Sequence, residues 1–157
     1  MVTAEQIMTK RFLRISTEHT LREALALLLY GERKKAETAA IVVIDTLGDF
    51  AGILTPDCVV KGLSNSDATP LDSPETLALR IEKNFPVTID TVMKKRIPIV
   101  SKETKLANLI ALSASGKHEC LPVSEEGRIE GLVYVSDIFK AAAGLALTSE
   151  DEGIALE

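Results

Sequence analysis

Two short stretches carry the groups with the most chemical potential, and they match each other. Gly52-Ile53-Leu54-Thr55-Pro56-Asp57-Cys58 and Gly131-Leu132-Val133-Tyr134-Val135-Ser136-Asp137 each run from a glycine through apolar residues to a hydroxyl-bearing and an acidic side chain. A carboxylate accepts two hydrogen bonds at once, which suits the adjacent hydroxyls of a ribose. A helix start presents free N–H groups and a positive dipole end, which suits phosphate. Backbone carbonyls beside a Val/Ile/Leu wall hold a flat base. Lys10-Arg11 recurs as Lys95-Arg96, each pair just before a predicted first strand. Such a pair is either a phosphate clamp, since Arg grips phosphate through two N–H groups, or a solvated face, where most Lys and Arg lie. A third cluster, Arg33-Lys34-Lys35, reads as charge complementing a helix end or, alternatively, as a partner contact.

Other chemistries find no support. His19 and His118 lack metal-ligand spacing with Cys, Asp or Glu. For His118 a base or phosphate contact competes with an ordinary surface role. Cys58 and Cys120 are too few for a zinc site or disulfide framework and read as small buried hydrophobes. The chain has no P-loop, nucleophile elbow or H-E-x-x-H. We therefore expect no catalytic residue, no metal site and no enzyme activity. The net charge of −5 argues against nucleic acid. Hydrophobic residues make up 46% and aromatics 4%, so the expected core is aliphatic. There is no signal-like apolar core and no stretch near the ~20 apolar residues of a membrane span. The expectation is a cytoplasmic protein without membrane contact.

The elements that position these groups are duplicated. Ile7-Met8 and Val92-Met93 stand 85 positions apart, and so do Ile15-Ser16 and Val100-Ser101. Ile41-Val42-Val43 answers Leu121-Pro122-Val123 at 80, and Gly52-Ile53-Leu54 answers Gly131-Leu132-Val133 at 79. The first copy therefore has five extra residues within 30–39. Each copy reads as β-α-β-β-α. Thr20-Leu21-Arg22-Glu23 is a capping box opening an apolar helix over 21–29. β-branched residues 40–44 predict a buried strand, and 52–55 its partner, with a helix from about Pro56. In the second copy the helix is 105–113, the strands are 120–124 and 128–135, and the last helix is 136–147. Ser73-Pro74 predicts the cap and first residue of a short helix over 74–84. The fold class is α+β (α/β-like). Its parts are repeat one over 3–63, a linker with a short helix over 64–90, repeat two over 91–147 and an acidic, disordered tail over 148–157.

A leading Met, an L-P-V strand, a glycine turn and G-h-h-x-x-x-D, in which h is an apolar residue, resemble the CBS domain. The second copy matches closely through Leu121-Pro122-Val123 and Gly131 to Asp137; the first is looser, with Cys58 at the Asp position. The resemblance implies a tandem pair, a Bateman module, with two pseudo-symmetric repeats and two clefts that take adenine nucleotides or adenosyl compounds (AMP, ADP or ATP). Mg²⁺ enters only with ATP or ADP. It also implies a homodimer that regulates an enzyme or transporter through a change of conformation or dimer geometry. Carried over by position, the preferred cleft uses Met8, Leu13, Thr38, Ala39, Leu132, Tyr134, Ser136 and Asp137, with Asp137 on the ribose. The competing role for Ser136 and Asp137 is to cap the last helix. The second cleft, ranked below, uses Ile53, Thr55, Asp57, Cys58, Pro98, His118 and Glu119. Lys10, Arg11, Lys95 and Arg96 are the candidate phosphate contacts, with the solvated face as their alternative. The alternative function is a structural dimerisation module whose degenerate clefts bind nothing.

Overall fold

In each copy a parallel pairing and an antiparallel hairpin combine into a three-stranded sheet. The computed structural model describes residues 1–31, 40–63 and 68–154. Its elements are α1 (Ala4–Ile7), β1 (Leu13–Ser16), α2 (Leu21–Tyr30), β2 (Ile41–Ile44), β3 (Phe50–Leu54), α3 (Pro56–Leu63) and α4 (Pro74–Glu82), followed by β4 (Val100–Ser101), α5 (Leu106–Gly116), β5 (Cys120–Glu125), β6 (Arg128–Tyr134) and α6 (Val135–Ala146). Turns of 3-10 helix form at Ile89–Thr91 and Ser149–Gly153. The sheets run β1-β2-β3 and β4-β5-β6. The first pair of each is parallel and the second antiparallel. This is the α+β duplication expected from the sequence.

Local chemistry fixes the element ends. Thr20 Oγ1 accepts from Glu23 N (3.3 Å), and Glu23 Oε1 accepts from Thr20 N (3.2 Å), so the capping box forms. Ser73 Oγ accepts from Thr76 N (3.2 Å), with Pro74 at the first helical position. The β5–β6 hairpin turns on Glu126 (φ 52°) and Gly127 (φ 80°). Positive φ at both central residues is what a two-residue turn needs to match strand twist. Both hairpins carry a register shift at the same place, between Val43 and Ile44 and between Val123 and Ser124. A bulge there adds twist just before each strand pair runs toward its helix.

The compact units are not collinear with the copies. One comprises Arg11–Ile97; the other comprises Met1–Lys10 together with Pro98–Glu157. Each unit takes in the leader of the opposite copy. In the β4–β6 unit, Ala4 N donates to Thr104 O (2.8 Å) and Leu106 N to Val2 O (3.1 Å). In the β1–β3 unit, Ile89 N donates to His19 O (3.0 Å) and Leu21 N to Val87 O (2.7 Å). Every partner here is displaced by the same 85 positions seen in the sequence. Ala4 is fully buried with Val100, Leu109, Leu121 and Val133. Ile89 is fully buried with Ile15, Leu21, Ile41 and Leu54. Burial of apolar surface, at roughly 25 cal/mol per Å², ties each leader to its host core. No helix among the described residues is long and apolar enough to cross a membrane.

Candidate functional site

In both units the second hairpin strand runs straight into a helix, and the leader of the other copy lies along that strand. In the β4–β6 unit the leader residue Thr9 pairs with Leu132: Thr9 N donates to Leu132 O (2.8 Å) and Leu132 N to Thr9 O (3.0 Å). Met8 lies over Gly131, where an added Cβ would fall 2.6 Å from the Met8 Sδ. A side chain at that position would make the thioether move. Two residues after Leu132 the strand ends at half-buried Tyr134, and α6 begins at Val135. Asp137 sits in the first turn, half-buried, and its Oδ2 accepts the Tyr134 N–H (3.0 Å). Ser136 is exposed beside it. Val135 N donates to Glu119 O (3.0 Å), tying the helix start to the residues just before β5.

The unit therefore gathers Met8, Leu132, Tyr134, Ser136 and Asp137 at one strand-to-helix junction. Glu119 joins them through its carbonyl; His118, half-buried, precedes it, and Pro98 belongs to the same unit. Lys10 follows the Thr9 bridge and is exposed. Leu13 and Arg11 belong to the other unit. Thr38 and Ala39, and the cluster Arg33-Lys34-Lys35, lie outside the described residues. Asp137 supports the helix start from its third helical place, and α6 starts one residue earlier than the sequence suggests. Its Oδ1 has no hydrogen-bond partner among the described residues, so an acceptor remains for a ligand hydroxyl.

The β1–β3 unit repeats the frame with different chemistry. Ile53 N donates to Lys94 O (3.0 Å) and Lys94 N to Ile53 O (2.9 Å). Ile53 is fully buried. Thr55 is 2% exposed, and its Oγ1 lies 3.2 Å from the Cys58 Sγ in a buried hydroxyl–thiol hydrogen bond. Asp57 turns to two lysines: its Oδ2 is 3.5 Å from Lys94 Nζ and 3.6 Å from Lys61 Nζ. Lys95 and Arg96 are exposed. Cys58 and Cys120 are both buried thiols, as small hydrophobes are.

Sequence reasoning missed Lys94 and Thr9. The signal was present: the 85-residue offset that pairs Met8 with Met93 sets Lys94 against Thr9. What the sequence withheld is that this leader lies on the opposite copy's sheet. Among the described residues no group of three or more His, Cys, Asp or Glu is placed to hold a metal ion.

A duplicated sheet-and-helix unit, with leaders exchanged and a strand-to-helix junction in each half, defines a tandem-repeat α+β module. The CBS domain family model matches residues 4–65 and 89–144, and the chain belongs to that family as a tandem pair, a Bateman module. A curated relative, a 17.7 kDa protein of Acidianus ambivalens, is 25% identical over 137 residues, covering 87% of this chain and 70% of its own. Among solved structures, a CBS-domain-containing protein of Agrobacterium tumefaciens superposes with a TM-score of 0.68 at 20% identity, over 89% of this chain and 92% of that one. CBSX2 in complex with AMP gives 0.65 at 20% identity, over 94% and 100%. The cytosolic domain of the Mg²⁺ channel MgtE in complex with ATP gives 0.64 at 24% identity, over 88% of this chain and 48% of that one. At these identities the superpositions establish the fold.

Proposed function

We propose that the protein is a regulatory ligand sensor that binds an adenine nucleotide or adenosyl compound at the β6–α6 junction. The observation that carries this reading is Asp137, a half-buried carboxylate at a helix start with one oxygen held by Tyr134 N–H and the other open to a ribose hydroxyl. In this reading Met8 and Leu132 supply the apolar contact for the base. Ser136 and Lys10 contact the phosphates, together with the N–H groups of the first turn of α6. CBS relatives seen with AMP and with ATP support the ligand class. Mg²⁺ accompanies the ligand only as its ADP or ATP complex. The protein acts without catalysis, in the cytoplasm, by passing a ligand-dependent change to an enzyme or transporter. Such coupling requires that the ligand bind two states of the module unequally. Calorimetric titration with AMP, ADP and ATP, with and without Mg²⁺, tests it. Saturable binding that weakens tenfold or more in Asp137→Ala is expected; no heat with any of them rejects the reading.

The module acts as a homodimer in this proposal. Ile110, Val135 and Phe139 are 42%, 40% and 58% exposed on α5 and α6. With Ile138 and Ala142 they line an apolar groove of about 330 Å³. Open apolar side chains on two adjacent helices support a partner surface here. Sedimentation should show a dimer for the parent and a monomer for Phe139→Lys.

A further inference from the structure

We infer that Lys94 closes the second of the two equivalent ligand positions, so that each chain takes one nucleotide and not two. This rests on the ligand reading proposed for the β6–α6 junction. The two junctions share their backbone frame, including the leader bridges Thr9–Leu132 and Lys94–Ile53. They differ in what the leader contributes. Thr9 brings a short neutral side chain. Lys94 brings an ammonium that reaches Asp57, the acid at the start of α3, at 3.5 Å. Lys61, from the next turn of α3, reaches the same oxygen at 3.6 Å.

A ribose anchor needs a carboxylate with open acceptors. At the β3–α3 junction Asp57 already has two cations on one oxygen, and an uncharged ribose hydroxyl brings no positive charge to replace them. The position matching Asp137 is Cys58, a weak acceptor that is 3% exposed and already bonded to the Thr55 hydroxyl. Thr55, 2% exposed, is likewise out of a ligand's reach. Two separate changes close this junction: the carboxylate is lost at 58, and a tethered cation is gained at 94. Restoring an acid at 58 leaves Lys94 in place to pair with it. Removing Lys94 leaves no acid in the anchoring position. The two changes must be reversed together, which makes their effect non-additive.

The test is the number of nucleotides bound per chain, by calorimetry or equilibrium dialysis with AMP and ATP, for the parent, Lys94→Thr, Cys58→Asp and the double variant. One site is expected for the parent and for each single variant, and two for the double. A parent that binds two, a second site appearing in Cys58→Asp alone, a lower affinity in Lys94→Thr, or a double variant that keeps one site overturns the inference. If an acid at buried position 58 prevents folding, Cys58→Asn with Lys94→Thr tests the same point through its carbonyl acceptor. A parent that binds no nucleotide rejects the underlying ligand reading instead, so the two failures are distinct.

Discussion

The β6–α6 and β3–α3 junctions are the same backbone solution with opposite side-chain outcomes. In one, the acid at the seventh and last position of the motif, Asp137, braces the helix start by accepting the Tyr134 N–H on one of its two oxygens. In the other, a thiol at that position pairs with a hydroxyl in the interior, and the neighbouring acid is drawn to lysines. Duplication copies a frame; it does not copy a site. At the motif's last position one junction carries a carboxylate and the other a thiol bonded to Thr55, and the acid next to that thiol is paired with lysines.

The leaders make the strongest test of the shared frame. Ile89 and Ala4 occupy equivalent places and both are fully buried. Ile89→Ala should cost about 2–5 kcal/mol through lost burial and the cavity left behind. Ala4→Gly should cost only about 1 kcal/mol, mostly from helix propensity. For a chain of this size the first should lower Tm by several degrees more than the second. Denaturant melts of both variants check this; equal losses would mean that the leaders do not anchor their units in the same way.

The carboxylates separate the junctions functionally. Asp137→Ala should weaken nucleotide binding tenfold or more, since a hydrogen bond to a charged group is worth about 1.5–3 kcal/mol. Asp57→Ala should leave affinity unchanged within error. Titration of both variants decides it, and a matching loss in Asp57→Ala would put a working site at β3–α3.

The glycines sharpen the same contrast. A Cβ at Gly52 would come within 2.4 Å of the Lys94 carbonyl oxygen, which is held in a two-bond bridge. A Cβ at Gly131 would meet the Met8 Sδ at 2.6 Å, the middle of a flexible side chain. Overpacking costs about 1–3 kcal/mol, and we expect Gly52→Ala near the top of that range and Gly131→Ala near the bottom. Adding Met8→Ala should rescue Gly131→Ala only. Thermal melts of the single and paired variants read this directly.

Much of this was legible in the sequence. Thr20 with Glu23, Ser73 with Pro74 and the β-branched run at 41–44 each specify local structure by short-range chemistry, and each forms the element expected. The offsets of 85, 80 and 79 reappear as equivalent hydrogen bonds, bulges and bridges. The exchange of leaders was not legible. Ala4 and Ile89 are apolar and would suit either core, so the choice is made by chain path, which periodicity does not encode. Asp57 shows the same limit: it stands one residue before the motif's Asp position, and its pairing with Lys94 depends on that exchange. The structure brings the residues expected on the second copy together around Asp137. Of their expected companions, Leu13 falls in the other unit, and Thr38 and Ala39 fall outside the described residues.

The smallest expected effect decides what Lys94 is for. Its side chain is 36% exposed and that of Asp57 is 42%. An ion pair so open to water contributes about 0–1 kcal/mol and is screened by salt. If the pair serves to close a ligand position, Lys94→Met should change stability by less than about 1 kcal/mol, and even that difference should shrink as salt is raised. If instead it fastens the leader to α3, the same variant should destabilise the β1–β3 unit well beyond that range, at any salt concentration. The leader already holds to the unit through Ile89 in the core and two backbone bonds at Ile53, which leaves the ion pair little structural work. Urea melts of the parent and Lys94→Met at low and high salt separate the two roles, and a large, salt-independent loss would move Lys94 from the ligand position to the scaffold.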